Sequence, residues 1–148
     1  MITIVLAEDH KVVRQGIKML LDAEEDLQVI GEAGDGAEAV QLVRSLRPDI
    51  LVTDLLMDGM NGIEVTELAR KHSLGTQVII LSMYRSDTYV SAALEHGAIG
   101  YVVKGSGADE LVHAIHEAMF GRRYLSPPLT EQSIMAYRQR GKDAALDS

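Results

Sequence analysis

The chain has 148 residues, of which 47% are hydrophobic, and it contains no cysteine. This length and composition suit one domain with an apolar core, and they exclude a disordered chain, a disulfide framework and a thiol nucleophile. Because no apolar run approaches the roughly 20 residues of a membrane span and no basic, cleavable leader precedes Glu8, we expect a cytoplasmic protein.

The net charge of −8 is unevenly distributed along the chain. Residues 1–120 carry 9 basic and 19 acidic residues, whereas residues 121–148 carry 5 basic and 3 acidic residues. Since nucleic-acid phosphates bind to positively charged surfaces, the acidic part of the chain is a poor nucleic-acid binder by itself.

Five apolar segments alternate with five helical patterns over the first 120 residues. Strands are predicted at residues 2–7, 27–33, 50–53, 78–81 and 101–103. Apolar residues recur at helical spacing between them, beginning with a helix over about residues 11–23. Alternation of this kind, with continuously apolar strands, predicts a parallel sheet covered on both faces. The expected fold is α/β, doubly wound and flavodoxin-like, with strand order 2-1-3-4-5.

Turn and capping residues mark the ends of the predicted helices. The residues expected to end the second to fifth helices are Arg47-Pro48, Gly75, Gly97 and Gly121. Ser86 is the expected N-cap of the fourth helix, and Ser106 with Asp109 resembles a capping box for the fifth.

Residues 1–121 are therefore predicted to form the domain, and residues 122–148 to form a linker. Pro127-Pro128 interrupts the chain, Thr130 is a candidate cap for a short helix through about Tyr137, and residues 141–148 are small and polar. The tail is too short for a second domain, so we interpret it as leading to a downstream domain that this chain lacks.

Chemically useful side chains follow four of the predicted strands. Glu8 and Asp9 follow the first strand, Asp54 the third, Ser82 the fourth and Lys104 the fifth. Ligands of open parallel sheets bind at the carboxyl ends of the strands, so these side chains are expected to meet. Clustered carboxylates raise each other's pKa unless a cation intervenes, and Mg²⁺ prefers hard oxygen ligands of this kind.

This set supplies the parts that phosphoryl transfer requires. Asp54 is predicted to be the nucleophile that forms an aspartyl phosphate. Mg²⁺ would join Asp9 and Asp54 to the phosphoryl group, Lys104 would neutralise its charge, and Ser82 would donate a hydrogen bond. Each residue alone has a structural explanation as a helix cap or a solvated side chain, so the prediction rests on their conjunction at strand ends.

Several other residues are interpreted as structural. The histidines do not form a metal-ligand set, the methionines suit loop packing, and two glycines suit turns. These residues are His10, His72, His96, His113, His116, Met57, Met60, Met83, Gly59 and Gly62.

The motifs stand in an order that is typical of a known family. They are Glu8-Asp9, Asp54 followed by Met57 and Gly62, Ser82, and Tyr101-Val102-Val103-Lys104. On these residues, positions 2–121 resemble a bacterial response-regulator receiver domain. Segments 7–16 and 97–101 resemble the NarL/FixJ-type subfamily, whose members usually carry a C-terminal helix-turn-helix domain that binds DNA.

The resemblance implies a role for each site residue. Asp54 would be the phosphorylation site, and Asp9, Asp54 and the backbone carbonyl of Leu56 would bind Mg²⁺, with Glu8 acting through water. Ser82 and Lys104 would contact the phosphoryl group. Movement of Ser82 would let Tyr101 rotate inward and alter the face formed by helix four, strand five and helix five.

The resemblance also implies the partners of the chain. The phosphoryl donor would be a sensor histidine kinase, which a small acyl phosphate could replace. The chain would be a signalling domain that assists its own phosphotransfer and autodephosphorylation, with a homodimer as a further implication. DNA would be reached only through the helix-turn-helix domain, which this chain lacks.

Three positions depart from the family pattern. Asp58 stands where most receivers have proline, and Met83 stands where a small residue often follows the switch hydroxyl. Gly105 stands where many receivers have proline, which leaves both isomers of the Lys104–Gly105 peptide open.

Three alternative functions compete with the leading prediction, which is a receiver domain that phosphorylation of Asp54 switches. A phosphorylation-independent interaction module is disfavoured because the set Asp9, Asp54, Ser82 and Lys104 is intact. An aspartyl-nucleophile phosphatase usually needs an acid two residues after the nucleophile, and Leu56 occupies that position. A flavin-binding protein is disfavoured because acids, rather than a hydroxyl-rich phosphate loop, follow the first strand.

Overall fold

The structure is a computed structural model that describes residues 1–105, 107–127, 129, 134–136 and 138–140. Six strands alternate with five helices in the assigned elements. The strands are β1 (Ile2–Ala7), β2 (Leu27–Ala33), β3 (Ile50–Thr53), β4 (Gln77–Ser82), β5 (Gly100–Val103) and β6 (Tyr124–Leu125). The helices are α1 (Lys11–Asp22), α2 (Gly36–Leu46), α3 (Gly62–His72), α4 (Asp87–Glu95) and α5 (Ala108–Met119).

The strands form one parallel sheet in the order β2-β1-β3-β4-β5-β6. The predicted α/β fold and the order 2-1-3-4-5 are therefore confirmed. The two-residue strand β6 was not predicted, and it extends the sheet beyond β5. In register, Ala7 pairs with Thr53 and Ser82 pairs with Val103, so the strand ends that carry the polar residues lie along one edge.

Alternate residues of the strands enter two apolar layers on opposite faces of the sheet. Val5 and Leu51 belong to the layer that contains buried residues of α2, α3 and α4. Ile4 and Val52 belong to the layer that contains buried residues of α1 and α5. Because both faces are covered, the strands have the continuously apolar sequences by which they were predicted.

Some predicted helix ends are confirmed and others are wrong. Arg47 ends α2 with a positive φ of 45°, and Gly97 and Gly121 follow α4 and α5 with φ of 110° and 72°. Gly75 does not cap α3, because the helix ends at His72 and Ser73 is its C-cap.

The N-terminal caps also differ from expectation. Ser86 occupies the N-cap position of α4, but its side chain makes no capping hydrogen bond. Gly107 is the N-cap of α5, and the predicted partner Ser106 lies outside the described residues. Two caps were not predicted: Asp35 accepts from the Glu38 N–H, and Asn61 accepts from the N–H groups of Ile63 and Glu64.

The segment predicted as a linker is partly integrated into the domain. Residues 134–136 and 138–140 are helical, and Leu129 and Ile134 are buried in the same apolar layer as α4. Thr130, Tyr137 and residues 141–148, on which the other tail predictions fall, lie outside the described residues. Within the described ranges, no helix is long and apolar enough to cross a membrane.

Gly62 offers a test of how closely the backbone after β3 is packed. A Cβ at Gly62 would overlap the Asp54 carbonyl oxygen and lie 3.0 Å from Leu55 Cα, and the Gly62 N–H donates to Leu55 O at 2.7 Å. We expect Gly62→Ala to lower the free energy of unfolding by about 1–3 kcal/mol, because backbone must move to admit the methyl group. Urea unfolding measures the change.

Gly16→Ala is the matched control for this substitution. Gly16 lies within α1, and a Cβ there would have no atom within 4 Å. This substitution should raise the free energy of unfolding by about 0.5–1 kcal/mol, because alanine loses less backbone entropy in a helix. Equal effects of the two substitutions would contradict the argument from close packing at Gly62.

Candidate functional site

Asp54 lies directly after β3, at the centre of the sheet edge. Its N–H donates to Ala7 O at 3.0 Å, which continues the pairing between β1 and β3 by one residue. Its carboxylate Oδ1 accepts from the Leu55 N–H at 2.8 Å. The residue is 9% exposed, so the sheet holds a carboxylate at a fixed position that solvent barely reaches.

Lys104 joins the ends of three strands through one ammonium group. Its Nζ lies 2.8 Å from Glu8 Oε2 and 3.3 Å from Asp54 Oδ2. Glu8 is only 1% exposed, and a buried carboxylate without a cation is costly. The Lys104 N–H donates to Ser82 O at 2.7 Å, so the backbone at the end of β4 fixes where this side chain begins.

The three charged groups alter each other's pKa values. Burial raises the pKa of Asp54, the charge of Lys104 opposes this, and the charge of Glu8 raises it further. Burial also acts to raise the pKa of Glu8, but the hydrogen bond and charge of Lys104 and the contacts with His10 outweigh it, so this pKa is lowered. Burial lowers the pKa of Lys104, but the two carboxylates outweigh it and the pKa is raised. The directions describe an ionised Glu8–Lys104 pair beside a carboxyl group that holds its proton more readily than usual.

Asp9 has an oxygen atom that the described residues do not satisfy. Its Oδ1 is buried and accepts no hydrogen bond from them, and His10 Nδ1 lies 3.1 Å away. Ligand atoms of Glu8, Asp9, His10 and Asp54 all lie within 4.8 Å of one another. An unsatisfied carboxylate oxygen beside two further carboxylates fits a hard divalent cation such as Mg²⁺. These residues therefore fit the predicted metal.

Ser82 is the last residue of β4, and Tyr101 lies within β5. Both residues are fully buried. Ser82 Oγ accepts from the Tyr84 N–H at 3.0 Å, and the Tyr101 hydroxyl donates to Tyr84 O at 2.6 Å. Burial raises the pKa of Tyr101, while its hydrogen bond with Ser82 acts in the opposite direction. The loop after β4 is thus held by both predicted switch residues.

The remaining predicted positions surround this site. Leu56, Asp58 and Met83 are exposed in the loops after β3 and β4. Met83 is 67% exposed, so its side chain extends into solvent directly after the buried Ser82. Gly59 has a φ of 81° and is a turn glycine as predicted, whereas Gly62 begins α3.

Two residues at the site were missed in the sequence. His10 was interpreted as a surface histidine, and its side chain is 73% exposed, but its contact with the site was not predicted: its Nδ1 lies 3.0 Å from Glu8 Oε1. Its position directly after the two acids was the available signal. Arg14 donates from Nη1 to Glu8 O at 2.7 Å, and its Nε lies 3.5 Å from Glu32 Oε1. Arg14 lies in segment 7–16, which indicated the subfamily but gave this residue no role, because its contacts depend on how α1 lies beside β1 and β2.

Comparison with known proteins gives a consistent result. The family model described as "Response regulator receiver domain" matches residues 4–116, which is more than half of the chain. The response regulator GacA of Pseudomonas aeruginosa is 33% identical over 149 aligned positions, covering 100% of this chain and 70% of GacA. The nitrate/nitrite response regulator NarL of Escherichia coli K12 is 38% identical, covering 86% of this chain and 59% of NarL.

A solved structure agrees with the sequence relatives. The crystal structure of a LuxR-family two-component response regulator from Aurantimonas sp. SI85-9A1 is 38% identical, with a TM-score of 0.86. The match covers 93% of this chain and 98% of that one. The geometry, the family model and these relatives confirm the resemblance drawn from the motifs: this chain belongs to the response-regulator receiver family, with relatives of the NarL and GacA type.

Proposed function

We propose that Asp54 accepts a phosphoryl group from a sensor histidine kinase in the presence of Mg²⁺, and that phosphorylation switches a transcription-regulating output. The observation that carries this proposal is the position of Lys104 Nζ between Glu8 and Asp54, beside the unsatisfied oxygen of Asp9. This arrangement supplies a nucleophile, a cation and a set of metal ligands around one strand end.

In the proposed reaction, a carboxylate oxygen of Asp54 attacks the phosphorus of a phosphohistidine. The O–P bond forms as the P–N bond breaks, and the donor imidazole leaves. Lys104 already contacts Asp54 Oδ2, so its ammonium would follow the charge that moves onto the phosphoryl oxygens. Mg²⁺, held by Asp9, Asp54 and the carbonyl of Leu56, with Glu8 through water, would neutralise further phosphoryl charge. In autodephosphorylation, water would attack the phosphorus, the O–P bond to Asp54 would break, and inorganic phosphate would leave with Asp54 restored as a carboxylate.

Ser82 and Tyr101 would respond to the phosphoryl group through their hydrogen bonds. Ser82 Oγ accepts from Tyr84 N–H, and its own proton would be donated to a phosphoryl oxygen in place of its hydrogen bond with Tyr101. The Tyr101 hydroxyl holds the carbonyl of the same Tyr84, and Tyr101 is already buried. We therefore propose that phosphorylation stabilises the inward position of Tyr101 and the loop between β4 and α4.

The output would lie outside the receiver. This chain spans between 59% and 70% of the length of NarL and GacA, so their remaining residues have no counterpart here. DNA binding would require a separate helix-turn-helix domain, and a homodimer would form on phosphorylation. With a sensor kinase as donor, the chain would act in the cytoplasm.

Intact mass spectrometry after incubation with Mg²⁺ and acetyl phosphate tests the acceptor. We expect a gain of one phosphoryl group, because Asp54 is held against a cation at the strand end. Asp54→Asn should show no gain, since an amide cannot accept the group. The same measurement with phosphorylated sensor kinase tests the physiological donor.

Absence of phosphorylation from both donors, with Mg²⁺ binding established separately, would contradict the proposal. That result would favour the alternative function of a phosphorylation-independent interaction module. Phosphorylation from the kinase alone would support Asp54 as the acceptor and show that small donors do not reach it.

Asp9→Asn tests the metal site through stability. Without metal, we expect the free energy of unfolding of the variant to be about 0.5–2 kcal/mol higher than that of the wild type, because one of three clustered negative charges is removed. Mg²⁺ at about 100 times its Kd should stabilise the wild type by about 2.7 kcal/mol and should have little effect on the variant. Thermal unfolding with and without Mg²⁺ measures both effects.

Glu25→Gln is the control for this measurement, because it removes one exposed carboxylate away from the site. It should keep the full response to Mg²⁺. If Asp9→Asn responded to Mg²⁺ as strongly as this control does, Asp9 would not be a ligand.

A further inference from the structure

The tail after α5 is attached to the sheet edge through its backbone. We define the docked tail as the described residues from Tyr124 to Arg140. Tyr124 N–H donates to Ile99 O at 3.2 Å, and Ser126 N–H donates to Tyr101 O at 3.0 Å. These bonds form β6, so the docked tail is hydrogen-bonded to the strand that carries the proposed switch tyrosine.

Ser126 connects this strand to the next helix. It is fully buried, its Oγ accepts from the Val103 N–H at 2.8 Å, and its hydroxyl donates to Glu110 Oε1 on α5. Val103 directly precedes Lys104. The backbone next to Lys104, which supplies the ammonium of the site, is therefore hydrogen-bonded to the docked tail.

Apolar residues of the docked tail extend the core around Tyr101. Leu129 and Ile134 are buried in the same layer as Tyr101, Val90 and Leu94, and Ile134 is only 2% exposed. The docked tail thus forms part of the environment in which Tyr101 is buried.

Arg138 attaches the end of the docked tail to α4. Its Nε donates to Ser91 Oγ at 2.9 Å, and its Nη2 donates to Ser91 O at 3.2 Å. Its Nε also lies 3.4 Å from Glu95 Oε1. Because β6 bonds to β5 and Arg138 bonds to α4, the docked tail connects α4 to the strand that carries Tyr101.

We propose that the docked tail responds to the state of the site: phosphorylation at Asp54 strengthens the contacts of the docked tail with β5 and α4, and these contacts in turn favour phosphorylation. The proposal rests on the proposed function of Asp54. The docked tail and the Ser82–Tyr84–Tyr101 hydrogen bonds both stabilise the inward tyrosine, so each favours the same state of the domain. The chain that leaves residue 140 would then carry the state of the site to whatever follows it.

Thermodynamic linkage makes this coupling reciprocal. If the phosphoryl group strengthens docking by some factor, docking must strengthen retention of the phosphoryl group by the same factor. Couplings of this kind are commonly about 5–150-fold. The factor by which the phosphoryl group strengthens docking and the factor by which docking strengthens its retention must therefore be equal when they are measured separately.

Hydrogen exchange on the full 148-residue chain tests the first direction. The probe is Mg²⁺ with beryllofluoride, a mimic of the phosphoryl group, and its binding is established first from the fluorine NMR signals of the bound species. We expect exchange of the Tyr124 and Ser126 amides to slow at least about 5-fold when the mimic binds. Unchanged or faster exchange with the mimic bound would overturn the tail proposal alone. Failure of the mimic to bind would overturn the proposed function and the tail proposal with it.

Arg138→Ala tests the second direction, with Arg140→Ala as its control. Arg140 is exposed on the same helical segment, so its removal changes the net charge equally without touching Ser91. We expect Arg138→Ala to speed exchange of the two amides and to weaken beryllofluoride affinity by a matching factor, whereas Arg140→Ala leaves both unchanged. Faster tail exchange with unaltered affinity would overturn the proposal, because the tail would then be attached without being coupled to the site.

Discussion

The ammonium of Lys104 is the contact on which the acidic edge of this domain depends. Glu8 is almost fully buried, and its carboxylate stays ionised there because Lys104 Nζ lies 2.8 Å away. The same Nζ lies 3.3 Å from Asp54, so one positive charge lowers the repulsion between two carboxylates. It does not compensate Asp9, whose buried oxygen accepts no hydrogen bond from the described residues. With three carboxylates and one ammonium, this edge carries a net charge of −2 when all four groups are ionised, which is the electrostatic reason that a divalent cation fits it.

Backbone bonds between neighbouring strands make this arrangement precise. Asp54 N–H donates to Ala7 O, and Lys104 N–H donates to Ser82 O, so adjacent strand ends are fixed relative to each other before any side chain contributes. Gly62 then returns the chain so close to Asp54 that a side chain would overlap its carbonyl. Because these constraints are main-chain interactions, the site is rigid where the nucleophile lies and is exposed only at its loops.

The sheet order could be predicted from the alternation of apolar strands with helices, and the meeting of the polar side chains from the positions at which those strands end. Buried parallel strands have continuous apolar runs, and the polar residues that interrupt them must lie at one edge. The capping details could not be predicted equally well, since Ser86 occupies its N-cap position without bonding the helix and α3 ends before Gly75. Strand β6 was missed because two residues carry no periodicity, and the burial of Ile134 depends on a surface that exists only after α4 and β5 have assembled.

The location of the tail has a consequence for how such a domain can signal. Tyr101 contributes its carbonyl to Ser126 of the tail and its hydroxyl to Tyr84 of the loop that follows Ser82. One residue thus contacts the loop through its side chain and the tail through its backbone, and outward rotation of the side chain would break the bond to Tyr84 and change the apolar layer that contains Leu129 and Ile134. A small shift at the site therefore has a short physical route to the tail, through packed atoms that have few alternative positions. In this arrangement the chain that leaves the domain is itself part of the element that phosphorylation would bias.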